Sequence, residues 1–272
     1  GPLELMSFCD VSVTLSPEHV LLAKRRNLFT DHFNQYVEDG SLLCHVCQNW
    51  FPIVQGLPIL LPYVTPLHKQ FSRQFVKEIG RLPVNYQLPS QEPMPGEQFV
   101  MDSFSKEWLE YNYDGVIWHM SYEDEEKRFL VETCFSPAAD SQSIYLEIGC
   151  GLGLATSFAH KNYGIDAIGV DLSLAALRAT QHYQSNPFLH FVQASMFHLP
   201  FREASFDLVY SRGVLHHTYS TSDAFRTVAP YCKPGGSFFV WVYGLGSIDA
   251  NWFRRAAYYV EKKPRPFFSE RP

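Results

Sequence analysis

Residues 146–153 read Leu-Glu-Ile-Gly-Cys-Gly-Leu-Gly, and Leu154-Ala155-Thr156 follow at once. The apolar run from Ser143 to Ile148 has the length of a buried strand, and Gly153 to Tyr163 is a helical stretch closed by Gly164. A strand, a glycine turn and a helix in that order put the turn at the carboxyl end of the strand, where glycines let a ligand approach the backbone. Gly149, Gly151 and Gly153 are spaced Gly-x-Gly-x-Gly, and Leu154 fills the slot that the dinucleotide fingerprint gives to its third glycine. Glu147 precedes the turn, a carboxylate suited to a ligand ammonium.

Outward from this turn the same unit repeats. Ala167–Val170 is a strand ending at Asp171, and Ser173 caps a helix running to about Gln184. Leu189–Gln193, Phe206–Tyr210 and Ser237–Tyr243 read as three more strands. This alternation specifies an α/β fold, a doubly wound Rossmann-like and mostly parallel sheet. Asp171 ends the second strand, where a carboxylate can accept both hydroxyls of a ribose.

Upstream the texture differs. Ser16-Pro17 predicts a helix start, and Val20, Leu21, Leu28, Phe29, Phe33, Tyr36 and Val37 share a helical face, with Gly40 as its end. Thr65-Pro66 predicts a second helix, its stripe Leu67, Phe71, Phe75 and Ile79, its stop Gly80. Residues 81–98 carry four prolines and a glycine and read as a linker or lid. An aromatic segment from Phe104 to Trp118 follows, then a capped helix from Ser121 whose acidic run Glu123–Glu126 suits the helix dipole. The expected organisation is a cloning scar at 1–5, an α+β module at 6–62, a helical linker or lid at 63–135, the sheet domain at 136–250, and a C-terminal helix (Asn251–Val260) and tail at 251–272.

The runs LEIGCGLGLAT, GVDLS, QASMFHLPF, FDLVYSRGVLHH and KPGGSFFVWVY resemble, in order, the motif series of class I methyltransferases. They are most similar to the small-molecule branch that includes the quinone-biosynthesis C-methyltransferases. The resemblance implies S-adenosylmethionine as cofactor and S-adenosylhomocysteine as product. It assigns the methionine end to Glu147, Gly149, Gly151 and Gly153, the ribose to Asp171, and the adenine to Ser195 and Met196. Ser211 and Gly213 would meet the methionine moiety. Ser195 stands where the pattern has aspartate, and a neutral hydroxyl makes the weaker contact. The resemblance also implies that the aromatic segment covers the cofactor, with Trp108 and Tyr111 lining the acceptor pocket.

Methyl transfer from a sulfonium is an in-line displacement that needs positioning and exclusion of water. His216 or His217 could take a proton from a hydroxyl or ammonium acceptor, although a His-His pair at such a turn also serves to cap and pack. No Asn/Asp-Pro-Pro-Tyr signature follows the fourth strand, which favours oxygen or carbon over the amino group of a base or glutamine.

Cys44-His45-Val46-Cys47 and the apolar run behind it are similar to the second knuckle of a zinc ribbon, that of the small activator subunit of tRNA and protein methyltransferases. The first knuckle reads Cys9-Asp10-Val11-Ser12. Cys9, Cys44 and Cys47 are one thiolate short of a closed site, so a metal-free module held by its apolar core is expected over a zinc-loaded one.

Bulk properties bound the function. The 272 residues carry 22 basic and 28 acidic side chains, net −6, with 46% hydrophobic residues. That composition supports a large core and lacks the basic footprint of a nucleic-acid binder. No run of eighteen apolar residues suggests a membrane span, six sparse cysteines do not make a disulfide scaffold, and a cytoplasmic enzyme with a small, apolar or aromatic acceptor is expected. The rival readings are an RNA or protein methyltransferase and a non-catalytic, cofactor-binding interaction module. The proline-rich tail suggests no strands six and seven, leaving the fifth strand to be covered by the N-terminal module, the 251–260 helix, a homo-oligomer partner or a missing C-terminal segment.

Overall fold

The computed structural model of the chain describes residues 2–110, 116–117, 120–137 and 142–243. The expected helix at 251–260 lies outside them, as does Tyr111.

Two sheets organise these residues. The N-terminal one is antiparallel, in the order β1 (Leu3–Ser12), β2 (Gln35–Cys44), β3 (Asn49–Val54) and β4 (Leu57–Pro58). Helix α1 (Pro17–Arg25) connects β1 to β2. Here the structure corrects the long helix expected to reach Gly40. Asn27 adopts a left-handed conformation with φ 56°, its N–H donates to the Lys24 carbonyl, and the Leu28 N–H donates to the Ala23 carbonyl at 2.9 Å. This is a Schellman stop, with asparagine in place of the usual glycine. Tyr36 and Val37, assigned above to a helical face, instead pair with Val11 and Asp10 across the β1–β2 ladder. Gly40 lies inside β2, where a Cβ would come within 2.7 Å of the Met6 carbonyl oxygen. It marks a close strand crossing, not a helix end. Residues 3–5, read above as part of a cloning scar, extend the same ladder, with Leu3 opposite Cys44.

Helix α2 (Pro66–Gln74) and a short α3 (Val76–Ile79) follow, broken at Phe75 and closed at Gly80. Residues 81–96 are mostly irregular, as the prolines predict, and α4 (Glu97–Glu110) occupies much of the aromatic segment. A two-residue ribbon, β5 (Val116–Ile117) with β6 (Met120–Ser121), leads into α5 (Tyr122–Thr133).

The second sheet is the expected doubly wound one. Its strands are β7 (Ile144–Ile148), β8 (Asp166–Asp171), β9 (Leu189–Gln193), β10 (Phe206–Arg212) and β11 (Cys232–Trp241). They run parallel in the order β11-β10-β7-β8-β9. Helices α6 (Leu154–Tyr163), α7 (Ala175–Tyr183) and α8 (Thr221–Val228) connect them. Two apolar layers cover the faces, one around Tyr145, Phe158, Phe129 and Leu208, the other around Leu146, Ile148, Val209 and Val228.

The N-terminal module covers the β9 edge. Ile59 bridges Gln193, and the Leu60 N–H donates to the Gln193 carbonyl at 2.8 Å. Arg26 reinforces the join through a 2.9 Å ion pair to Asp166. Among the described residues β11 is the opposite edge, with Trp241 41% and Tyr243 64% exposed.

Candidate functional site

The carboxyl ends of β7, β8 and β10 converge on a cavity of about 820 Å³, within the size range of small-molecule and cofactor sites. Its floor is the glycine turn. Gly149 has φ 76°, and a Cβ there would sit 2.3 Å from Val214, so this position accepts only glycine. Trp108 lies above Gly151, at 3.5 Å from where its Cβ would be.

Asp171 is fixed on the rim. Its Oδ2 accepts from the Gly151 N–H at 2.8 Å, and its Oδ1 accepts from the Ser173 N–H at 2.8 Å and the Ser173 hydroxyl at 2.6 Å. Burial raises its carboxyl above the usual range while these donors pull it down. A carboxylate that holds the glycine turn and keeps lone pairs toward a cavity is preorganised to accept further hydroxyl donors.

The other expected residues fall into two groups. Gly149, Gly151, Asp171, Met196, Trp108 and His217 line the cavity. Glu147, Gly153, Ser195, Ser211 and His216 are not on its wall. Glu147 lies beneath the turn, where its Oε2 accepts from the Thr156 hydroxyl at 2.6 Å. Burial pushes its carboxyl up to about 8, with Thr156 opposing and the neighbouring Asp171 adding to the rise. Gly153 is the N-cap of α6. The Ser195 Oγ accepts from the Phe197 N–H at 3.1 Å, which shapes the loop presenting Met196 and Phe197. The Ser211 hydroxyl donates to the Ile148 carbonyl at 3.1 Å and ties β10 to β7. His216 packs on Tyr243, ring centroids 4.1 Å apart, whereas His217 faces Phe104 at 5.0 Å.

Several cavity residues were not singled out from the sequence. Helix α4 contributes Val100, Phe104 and Glu107 beside Trp108. It is pinned to α7 through the Leu174 N–H on Ser105 Oγ at 3.0 Å and the Arg178 guanidinium on the Trp108 carbonyl at 2.9 Å. Glu107 is half-buried, and burial holds its carboxyl above the usual range.

Arg128 and Arg212 supply the positive charge. Arg212 Nε donates to Glu132 Oε1 at 3.1 Å and its guanidinium lies 5.2 Å from the Trp241 ring centroid. The Tyr210 hydroxyl holds the other oxygen of Glu132 at 2.6 Å, and Arg128 pairs with Glu125. The acidic face of α5 thus does more than complement a helix dipole: Glu125 and Glu132 orient two arginines, and Glu126 ties α5 to Lys161 at 2.8 Å. The available signal was the spacing Glu125, Arg128, Glu132 on one helical face.

The three thiolates considered for zinc do not come together. Cys9 pairs with Asp39, five residues before Cys44 along β2, a separation of roughly 17 Å at strand rise. Among the described residues no group of three His, Cys, Asp or Glu side chains could hold a metal ion.

The family described as "Methyltransferase domain" matches residues 146–240. Phosphoethanolamine N-methyltransferase 3 of Arabidopsis thaliana is 28% identical over 97 residues, 35% of this chain and 20% of that protein. The tRNA U34 carboxymethyltransferase of Pseudoalteromonas atlantica is 32% identical over 94 residues, 34% of this chain and 29% of that protein. The malonyl-[acyl-carrier protein] O-methyltransferase of a Marinomonas species is 29% identical over 138 residues, 49% of this chain and 51% of that protein. The matches thus span from a fifth to half of these relatives. No helix among the described residues is long and apolar enough to cross a membrane. Residues 146–240, which match the methyltransferase-domain family, carry the parallel strand order and the glycine turn set out above.

Proposed function

We propose that this chain transfers a methyl group from S-adenosylmethionine to a small acceptor with an apolar or aromatic body, attacked at oxygen or carbon. The observation that carries this reading is the cavity where Asp171 and the Gly149–Gly153 turn meet the aromatic face of α4. Its residues fit the cofactor. Asp171 accepts the ribose hydroxyls, Met196 and Phe197 flank the base, and the glycine turn admits the methionine end. When bound, S-adenosylmethionine supplies an electrophilic methyl group on a sulfonium. Trp108, Phe104 and Met120 exclude water from it, and exclusion strengthens every electrostatic contact in the cavity. In this reading His217, on the cavity wall, accepts a proton from the acceptor, and the packing of His216 on Tyr243 supports that choice between the two.

A second reading is an amine acceptor. Glu107, half-buried among aromatic walls, suits an ammonium group, and several relatives are named for N-methylation. The missing proline-tyrosine signature disfavours the nitrogens of bases and glutamine, not that of an alkyl amine.

Calorimetry with S-adenosylhomocysteine tests the site. Asp171→Ala is expected to weaken binding by about 1.5–3 kcal/mol, the range for hydrogen bonds to a charged group. Unchanged affinity in a folded variant overturns the cofactor assignment. Incubation with methyl-labelled cofactor and panels of phenols, carboxylates and amines then separates the two acceptor readings.

A further inference from the structure

The N-terminal sheet carries a chemical feature for which methyl transfer has no use, two thiols on one hairpin turn. β2 ends at Cys44 and β3 begins at its partner Asn49. Residues 45–48 close the turn, with the Gln48 N–H donating to the Cys44 carbonyl at 2.8 Å and Gln48 at φ 55°. A tight turn brings residues three apart to within about 7 Å between Cα atoms, which overlaps the span a disulfide bridges. Each of the two thiols also shifts the ionisation of the other, as groups close in space do.

The turn is braced from outside. The Gln87 N–H donates to the Gln48 carbonyl at 3.0 Å and the Trp50 N–H to the Gln87 carbonyl at 2.9 Å. The Tyr86 hydroxyl meets His45 Nδ1, and His45 Nε2 lies 2.9 Å from Glu4. Both thiols are free, Cys44 buried and Cys47 exposed. Metal ligation does not account for the pair, since Cys9, on β1, lies opposite Asp39, five residues from Cys44, and among the described residues no group of three His, Cys, Asp or Glu could hold a metal ion.

We propose that Cys44 and Cys47 form a reversible thiol–disulfide site, oxidised by small disulfides such as glutathione disulfide. Accessibility orders the steps. Exposed Cys47 loses its proton to solvent and its sulfur attacks one sulfur of the small disulfide, breaking that S–S bond and releasing one thiolate. The Cys44 sulfur, deprotonated in turn, attacks Cys47 Sγ in the mixed disulfide and releases the second. The two released thiolates take up the two protons, so the protein loses two hydrogens and two electrons while one small disulfide becomes two thiols.

The experiment treats the full chain with glutathione disulfide, blocks remaining thiols by alkylation and maps the peptides by mass spectrometry. The expected result is an internal Cys44–Cys47 bridge, two hydrogens lighter, that dithiothreitol reverses. A folded Cys44→Ser variant should hold a lasting glutathione adduct on Cys47, because the resolving sulfur is gone. The wild-type result decides the matter whether or not that variant folds. A wild-type chain that keeps glutathione on Cys47 beside a free Cys44 overturns the proposal. So does a chain in which both thiols survive while the exposed Cys9 or Cys134 is modified.

Discussion

The two sheets meet along one edge of the molecule, yet they are specified in different ways. Each strand of the parallel sheet carries its own local signal. The apolar run of β7 is bounded by a glycine turn, β8 ends in an aspartate before a helix, and β10 and β11 are short apolar runs between breakers. The antiparallel sheet has no such autonomy. Gln35 to Ser41 in β2 mixes polar and apolar residues, and Phe29, Phe33, Tyr36 and Val37 satisfy a helical period as well as they populate a turn and a strand. Pairing with β1 settles the choice. Local signals suffice where period and stop residues agree; where they conflict, long-range pairing decides.

Glycine substitutions break this comparison most sharply. Gly149→Ala combines a left-handed backbone with a Cβ 2.3 Å from Val214, and should cost about 4 kcal/mol from strain and overpacking together. A urea midpoint within experimental error of the wild type would show that the turn relaxes freely and is no fixed cradle.

The next largest effect lies in α2, just after the antiparallel sheet, and is read by pH. His68 is fully buried, its Nδ1 2.9 Å from the Thr65 hydroxyl, and burial brings its imidazole down to about 4. The unfolded chain takes up that proton first, so stability is retained above pH 6.5 and falls as pH drops from 6.5 toward 4. The loss from this group is about 3 kcal/mol. Denaturation across that window should show a shallower slope in His68→Asn, and an identical slope would mean the site stays wet.

Gly40→Ala is the smaller counterpart of the first test. A Cβ there meets the Met6 carbonyl oxygen at 2.7 Å without a positive φ, so only overpacking enters, at about 2 kcal/mol. If it cost more than Gly149→Ala, the ranking of the two glycines would reverse. The smallest effect is expected from chelation. Because Cys9 cannot join Cys44 and Cys47, a strong chelator should leave the melting temperature of the full chain unchanged. Unfolding, with a full equivalent of zinc released, would refute this.

The sequence alone carried the α/β class, the five parallel strands, the glycine turn and Asp171, because each rests on residues adjacent in the chain. It also identified Met196, Trp108 and His217, which the structure places on the cavity wall. Only the tertiary structure separated His217 from His216, drew Glu147 and Ser195 back from the wall, and brought Glu107, Arg128 and Arg212 to it. Those positions depend on how α4 packs on α7 and how α5 meets β10, contacts between residues some 70–80 positions apart. The same holds for the N-terminal sheet, where a one-residue asparagine stop and a strand crossing at Gly40 outweigh an apparent helical stripe. A hydrophobic period states which residues prefer burial, and the partner that buries them is chosen by the chain as a whole.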